Sequence, residues 1–300
     1  MSYFFIINPT SGKGSGARLS GRIHAFFRGR GIHYEIGLTE RKGHGLELSR
    51  RALLAGFTNI VAAGGDGTIR EAAEPLIGKS AALGILPLGS GNGLARNLYI
   101  PLGQEAALKG LLEWEPRKID VGLANGRPFF CAAGVGLDAE VARIFNTRLG
   151  GRRGLFPYVY HSALAFFRYS PLRTVVNING RRLEFSPMVT AVLNGQQYGG
   201  GAKVAPGAYI DDGLLDLVVI KKAGILKTLL AVPDLFGGRL PRHTDLVTTA
   251  VSGLMEISFP PGSVYHLDGE DFSDSGSLRI SVLHKALNVK APTWGKTETT

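Results

Sequence analysis

NIVAAGGDGTIREAAEPLI, residues 59–77, decides the fold class. Its first part is a continuous apolar run ending in two glycines, and IREAAEPLI then begins a helix. A strand that is apolar throughout must be covered on both faces, which points to a parallel sheet packed between helices. The same pattern recurs on either side. YFFII at 3–7 runs into NPTSGKGSG, after which Leu19, Ile23, Phe26 and Phe27 recur at helical spacing. Residues 32–38 and 44–55 read as the next strand and helix, and ALGILPL at 82–88 leads through SGNGLARNL into helical sequence to about residue 113. Four such β–α units predict an open parallel sheet, whose ligands collect beyond the carboxyl ends of the strands. Those ends carry NPTSGKG, GGDGT and PLGSGNG.

Beyond residue 120 the pattern changes. Strands are expected at 118–124, 128–134, 173–179, 187–194, 214–220, 245–251, 254–259 and 277–283, with N-G, G-G and D-G turns between them. Helices are expected at 137–147, 155–167 and 223–232. The expected architecture is an α/β domain over 1–120 followed by a mainly antiparallel, β-rich domain over 121–290, with a polar, frayed tail after Ala291.

Composition narrows the partners. Glycine supplies 42 of 300 residues, or 14%, against an ordinary ~7%, without a collagen period. Lys plus Arg number 34 against 24 Asp plus Glu, a formal +10 that suits an anionic partner. From Arg143 to Arg182 there are eight arginines and no acid, interleaved with Phe145, Phe156, Tyr158, Phe166 and Tyr169. That segment reads either as a face for anionic lipid or as a helix pair with solvated arginines and aromatics in the core. No recognised nucleic-acid module accompanies the charge, so nucleic acid is not expected. A single Cys131, in FFCAAG, excludes an intrachain disulfide and is expected to be buried. MSYFFIINP lacks a basic n-region, and no apolar run approaches the ~20 residues of a membrane span, so a cytoplasmic protein touching membrane from outside is expected.

Local chemistry singles out a few residues. Gly64, Gly65 and Gly67 let a backbone approach a ligand, and N–H groups at the following helix start can meet phosphate oxygens. Asp66 in that loop should repel phosphate unless a cation intervenes, so it reads as a Mg²⁺-side residue or as a helix cap. Asn8 ends a strand, and Lys13 offers charge or is simply loop surface; the Walker A pattern is missing. YIDDGLLD at 209–216 can gather Asp212 and nearby carbonyls around a hard cation, or form a turn. HLDGED at 266–271 offers Glu270 as a proton acceptor, or is a polar turn. The seven histidines form no H-E-x-x-H pattern, no G-x-S-x-G elbow occurs, and the first strand is not followed by G-x-G-x-x-G.

Taken together, NPTSGKG at 8–14, AAGGDGTIREA at 62–72, GILPLGSGNGLARNL at 84–98, AAGVGLDAEV at 132–141, NGQQYGGGAKVAPGAYIDDGLLDLVVI at 194–220 and HLDGE at 266–270 resemble the diacylglycerol kinase catalytic superfamily. The resemblance covers about residues 3–290 and is nearest to its soluble bacterial lipid kinases, relatives of sphingosine kinases. It implies an N-terminal α/β nucleotide domain, a C-terminal β-sandwich-like domain, an active site in the cleft, and a last strand near 280–290 that returns to the first domain. It further implies an ATP site lined by Asn8, Thr39, Gly65, Asp66, Gly67, Thr68 and Ser90, and a structural Mg²⁺ on Asp212 with backbone oxygens of Tyr209 and Leu214. Glu270 matches the family's general base, and a lipid alcohol is the implied acceptor. GSGNG departs from the commoner GTGND: Ser90 keeps the hydroxyl, but Gly93 stands where an acid is usual. An NAD-kinase-like enzyme with a soluble substrate and a non-catalytic lipid- or nucleotide-binding protein stay open as alternatives, as does a homodimer.

Overall fold

The computed structural model describes residues 1–12, 14–147, 165–166, 168–244 and 247–293. Lys13, most of the helix expected at 155–167, and Arg148, Arg152 and Arg153 of the arginine-rich segment lie outside them. The chain forms two compact units, residues 1–119 with 285 onward, and residues 120–284.

The first unit contains β1 (Ser2–Ile7), α1 (Ser15–Phe27), β2 (His33–Leu38), α2 (His44–Leu54), β3 (Asn59–Gly64), α3 (Asp66–Ala73), β4 (Ala82–Pro87), α4 (Gly93–Asn97), α5 (Gln104–Glu113) and the start of β5 (Pro116–Ala124). Its strands run parallel in the order β2-β1-β3-β4. Every residue of β3 and β4 is buried, as a parallel sheet covered on both faces requires. Leu19, Ile23 and Phe27 are the buried stripe of α1, and the Phe27 ring meets Tyr3 and Phe5 edge-on at 5.5 and 5.4 Å. Such ring pairs add about 0.5–1.5 kcal/mol each beyond the area they bury.

The second unit continues β5 and adds β6 (Arg127–Phe129), β7 (Ala132–Gly136), α6 (Leu137–Thr147), β8 (Thr174–Ile178), β9 (Arg181–Phe185), β10 (Pro187–Leu193), β11 (Gln197–Gly199), β12 (Ala202–Lys203) and β13 (Leu215–Lys221). It ends with α7 (Ile225–Gly237), β14 (Val247–Ser252), β15 (Leu254–Ser258), β16 (Tyr265–Leu267), β17 (Glu270–Phe272) and most of β18 (Ser277–Lys290). One antiparallel sheet runs β14-β13-β10-β7-β16-β17, and a second set pairs β18-β15-β8-β9. Val192, Leu217 and Leu267 of the first sheet and Val176, Ile257 and Ile280 of the second share one buried cluster, which is the inside of a β-sandwich.

The end of β18 pairs in parallel with β4, Asn288 opposite Ala82 and Val289 opposite Leu83. The chain thus passes between units twice, within β5 and within β18.

Three differences from the sequence pattern have physical causes. The strand expected at 128–134 is two, because the N–H groups of Phe130, Cys131 and Ala132 turn toward the Asp268 carboxylate. The helix expected at 223–232 continues through Pro233 to Gly237 before Gly238 closes it in the left-handed region, φ 70°. The short strands β9, β16 and β17 carry too few apolar residues to stand out and form only by pairing with distant partners. No helix among the described residues is long and apolar enough to cross a membrane.

Candidate functional site

In the first unit, parallel pairing of β1, β3 and β4 sets the three glycine-rich loops side by side at the strands' carboxyl ends. Asn8 leaves β1 with its N–H on Ala63 O at 2.9 Å, and its Oδ1 accepts from the N–H and hydroxyl of Thr10. Its Nδ2 donates to Thr68 Oγ1 at 3.3 Å, linking the first loop to the second. Thr39 follows β2 at the same edge, its N–H on Ile7 O at 2.8 Å. Gly67 and Ser90 are exposed, whereas Thr68 is buried.

Two of the glycines are required by contact. A Cβ on Gly64 would lie 2.5 Å from the Thr68 side chain, and one on Gly89 would lie 2.8 Å from Gly65 Cα. Gly65 sits at the N-cap of α3 in extended conformation, and no side chain caps that helix.

Asp66 is therefore not a cap. Its Oδ2 accepts the N–H of Asn92 at 2.9 Å and its Oδ1 accepts the N–H of Gly93 at 2.7 Å. Asn92, at φ 50°, closes the third loop on itself through Gly89 N–H and Gly89 O. Two backbone dipoles solvate the charge of the Asp66 carboxylate. Gly93 contributes its N–H to that arrangement, a role that needs no carboxylate at position 93.

In the second unit, β16 and β17 form a hairpin turned by Asp268 and Gly269 at φ 50° and 83°. Positive φ at both central residues matches the twist of the strands. The Asp268 carboxylate accepts from the N–H groups of Phe130, Cys131 and Ala132 at 2.7, 2.8 and 3.0 Å. Glu270, first residue of β17, is half-buried beside this clamp.

Next to the hairpin is a cluster that the sequence did not single out. His266 is buried in β16, and Gly269 N–H donates to its Nδ1 at 3.2 Å. The proton therefore resides on Nε2, which faces Asp138 Oδ2 at 3.1 Å. The Tyr198 hydroxyl donates to the same Oδ2 and also contacts His266. Asp138 Oδ1 is buried with no hydrogen-bond partner among the described residues. Burial, with the charges of Asp138 and Glu140, pushes the Tyr169 hydroxyl well above its ordinary range. The three residues belong to AAGVGLDAEV, NGQQYGGG and HLDGE, and the pairing of β7 with both β10 and β16 brings those motifs together.

Asp212 lies in the turn before β13, its Oδ1 accepting Leu214 N–H at 3.0 Å. Burial raises its pKa, and the charges of Asp120 and Asp211 add to the rise. Burial and the Asp212 charge push Asp216 up to about 6. Asp120 anchors the turn by accepting Gly213 N–H at 2.6 Å, and its other oxygen meets His284 Nδ1 at 2.9 Å. Carboxylates held against their own ionisation are oxygen donors that a hard divalent cation suits. No group of three or more His, Cys, Asp or Glu side chains among the described residues is placed to hold a metal, so carbonyl oxygens would have to complete the shell.

In the arginine-rich segment, Arg143 pairs with Glu140 at 2.7 Å and Arg173 with Glu184 at 2.6 Å. The acids lie just outside the segment.

Comparison with known proteins follows this division. Residues 2–124 match the diacylglycerol kinase catalytic domain, and residues 131–291 match the YegS C-terminal NAD kinase beta sandwich-like domain. A probable lipid kinase YegS-like protein of Enterobacter sp. (strain 638) is 30% identical over 94% of both chains. One of Pseudomonas aeruginosa (strain UCBPP-PA14) is 34% identical over 87% of this chain and 86% of its own. The crystal structure of a diacylglycerol kinase from Bacillus anthracis str. Sterne shares the fold, with a TM-score of 0.74 at 20% identity over 97% of each chain. With both domain matches in sequence order and relatives similar along nearly the whole length, the chain belongs to the YegS-like lipid kinase family.

Proposed function

We propose that this protein is an ATP- and Mg²⁺-dependent lipid kinase that moves the γ-phosphoryl group of ATP onto the hydroxyl of diacylglycerol or a related lipid alcohol. The observation that carries the reading is the meeting of three glycine-rich loops at the carboxyl ends of β1, β3 and β4, in a chain of this family. Asn8, Thr39, Gly64, Gly65, Gly67, Thr68 and Ser90 line the nucleotide phosphates, with backbone N–H groups as the principal donors. Asp66 orients the site by holding the third loop to the second. Asp212, with the carbonyl oxygens of Tyr209 and Leu214, holds a structural Mg²⁺ that neutralises the acidic turn.

Glu270 receives the proton. A carboxylate is a far weaker base than an alkoxide, so it cannot ionise the acceptor beforehand. The lipid oxygen bonds to the γ-phosphorus as the bond to the β-phosphate oxygen breaks, ADP leaves, and the increasingly acidic hydroxyl passes its proton late to Glu270.

Labelled γ-phosphate transfer from ATP and Mg²⁺ to a panel of lipids in mixed micelles, with NAD as soluble acceptor, tests the reading. Label is expected in a lipid and not in NAD. Label in NAD alone would assign a soluble-substrate kinase, and nucleotide binding with no transfer would assign a non-catalytic protein; either result overturns the proposal.

A further inference from the structure

The helix α7 is apolar except for Lys227, Thr228 and Asp234. Ala231 is buried and Leu235 is packed beside it, both against the cluster of Val204, Ala205, Ala208 and Leu240. At ~100° per residue the opposite side is Leu226, Leu230, Pro233 and Phe236, with Val232 at its flank. Four of these are large and open to solvent, at 73% for Leu226, 65% for Leu230, 42% for Val232 and 53% for Phe236. A surface helix ordinarily turns charged residues outward, and a contiguous apolar outer face marks a docking surface. Leu54, at 91%, is exposed singly and needs no such explanation.

The charge around the helix selects the partner. From Lys221 to Arg242 there are five basic residues and one acid, Asp234. That acid is already bonded to Arg239 at 2.7 Å and His243 at 2.9 Å. Lys221 and Lys222 are exposed immediately before the helix, and Arg242 is exposed shortly after it. A second copy of the chain docked here would bring the same positive charges against themselves. An anionic bilayer supplies both an apolar interior for the leucines and phenylalanine and negative headgroups for the lysines.

We infer that α7 is a membrane-docking helix, lying in the plane of an anionic lipid surface with Leu226, Leu230 and Phe236 inserted among the acyl chains and Lys221 and Lys222 at the headgroups. This attachment does not depend on phosphoryl transfer, and it is read without nucleotide or substrate.

The test is co-sedimentation of the full chain with vesicles of phosphatidylcholine plus phosphatidylglycerol, and with phosphatidylcholine alone. The parent is expected to prefer the anionic vesicles and to be released as salt rises from ~0.1 M to ~1 M, where screening shortens from about 10 Å to about 3 Å. Replacing Leu226→Ser, Leu230→Ser and Phe236→Ser together removes only exposed apolar groups and should weaken partition at least about tenfold, with unchanged circular dichroism. Lys221→Gln with Lys222→Gln should also weaken it, each lysine being worth roughly fivefold near an anionic surface. A smaller loss in the triple variant overturns the proposal. So does a parent dimer that the triple variant dissolves while vesicle binding persists, which would make the face a contact between copies.

Discussion

In the first unit the candidate site is made of backbone. Gly64 and Gly89 allow close approach, to Thr68 and to the Gly65 backbone, because no side chain intervenes. In the second unit it is made of carboxylates: Asp268 and Asp138 are held by groups on other strands, and Asp212 within its own turn, with Glu270 on the hairpin of Asp268. Within each loop the first arrangement is set by local conformation, and Asn8 and Asp66 join one loop to the next. The second depends on partners as far as 138 residues away and fails when one partner is lost.

The sharpest test of this contrast is Glu270→Gln. Loss of a general base costs typically ~10²–10⁴-fold, so kcat for the lipid acceptor should fall by about that factor while KM for ATP stays near the parent value. Activity near the parent level in a folded variant would remove Glu270 from the mechanism.

Asp66→Ala comes next. It releases Asn92 and Gly93 from the second loop, and misplacement of a positioned phosphate loop costs on the order of 10²-fold in kcat/KM for ATP. Asp66→Glu, which keeps the charge but lengthens the arm, should recover only part of that loss. Parent-like ATP kinetics in Asp66→Ala would show that the loops hold together without the carboxylate.

The smallest effect belongs to Asp268→Asn. The amide nitrogen replaces one acceptor among three converging N–H donors, so the variant should unfold about 2 kcal/mol more easily by denaturant titration. An unchanged midpoint would mean that the hairpin is held by its strand pairing alone.

The same contrast explains what could be read from sequence. The parallel sheet was legible because β3 and β4 are apolar from end to end, and the second unit's sandwich because long strands such as β10 and β13 alternate with turn signals. The glycine loops were legible because glycine there is a steric requirement. Asp66 was visible as a chemically odd acid, but its partners are 26 and 27 residues away on another strand's loop, a distance no local pattern spans. The cluster of Asp138, Tyr198 and His266 was hidden for the same reason: each residue is ordinary in its own motif, and only strand pairing joins them. The exposed side of α7 escaped notice because apolar residues all around a helix read as core until the packing shows which side is covered.

The double passage of the chain between units has a consequence for synthesis. Residues 120–284 are an insertion within the first unit, whose sheet takes Asn288 and Val289 beside β4 only after that insertion has been made. On the ribosome, which emits the amino terminus first, the second unit has all its strands before the first has its last. A fragment ending near residue 119 would expose β4 as an open edge, prone to pair with other chains. The first unit is thus begun before the second and completed after it.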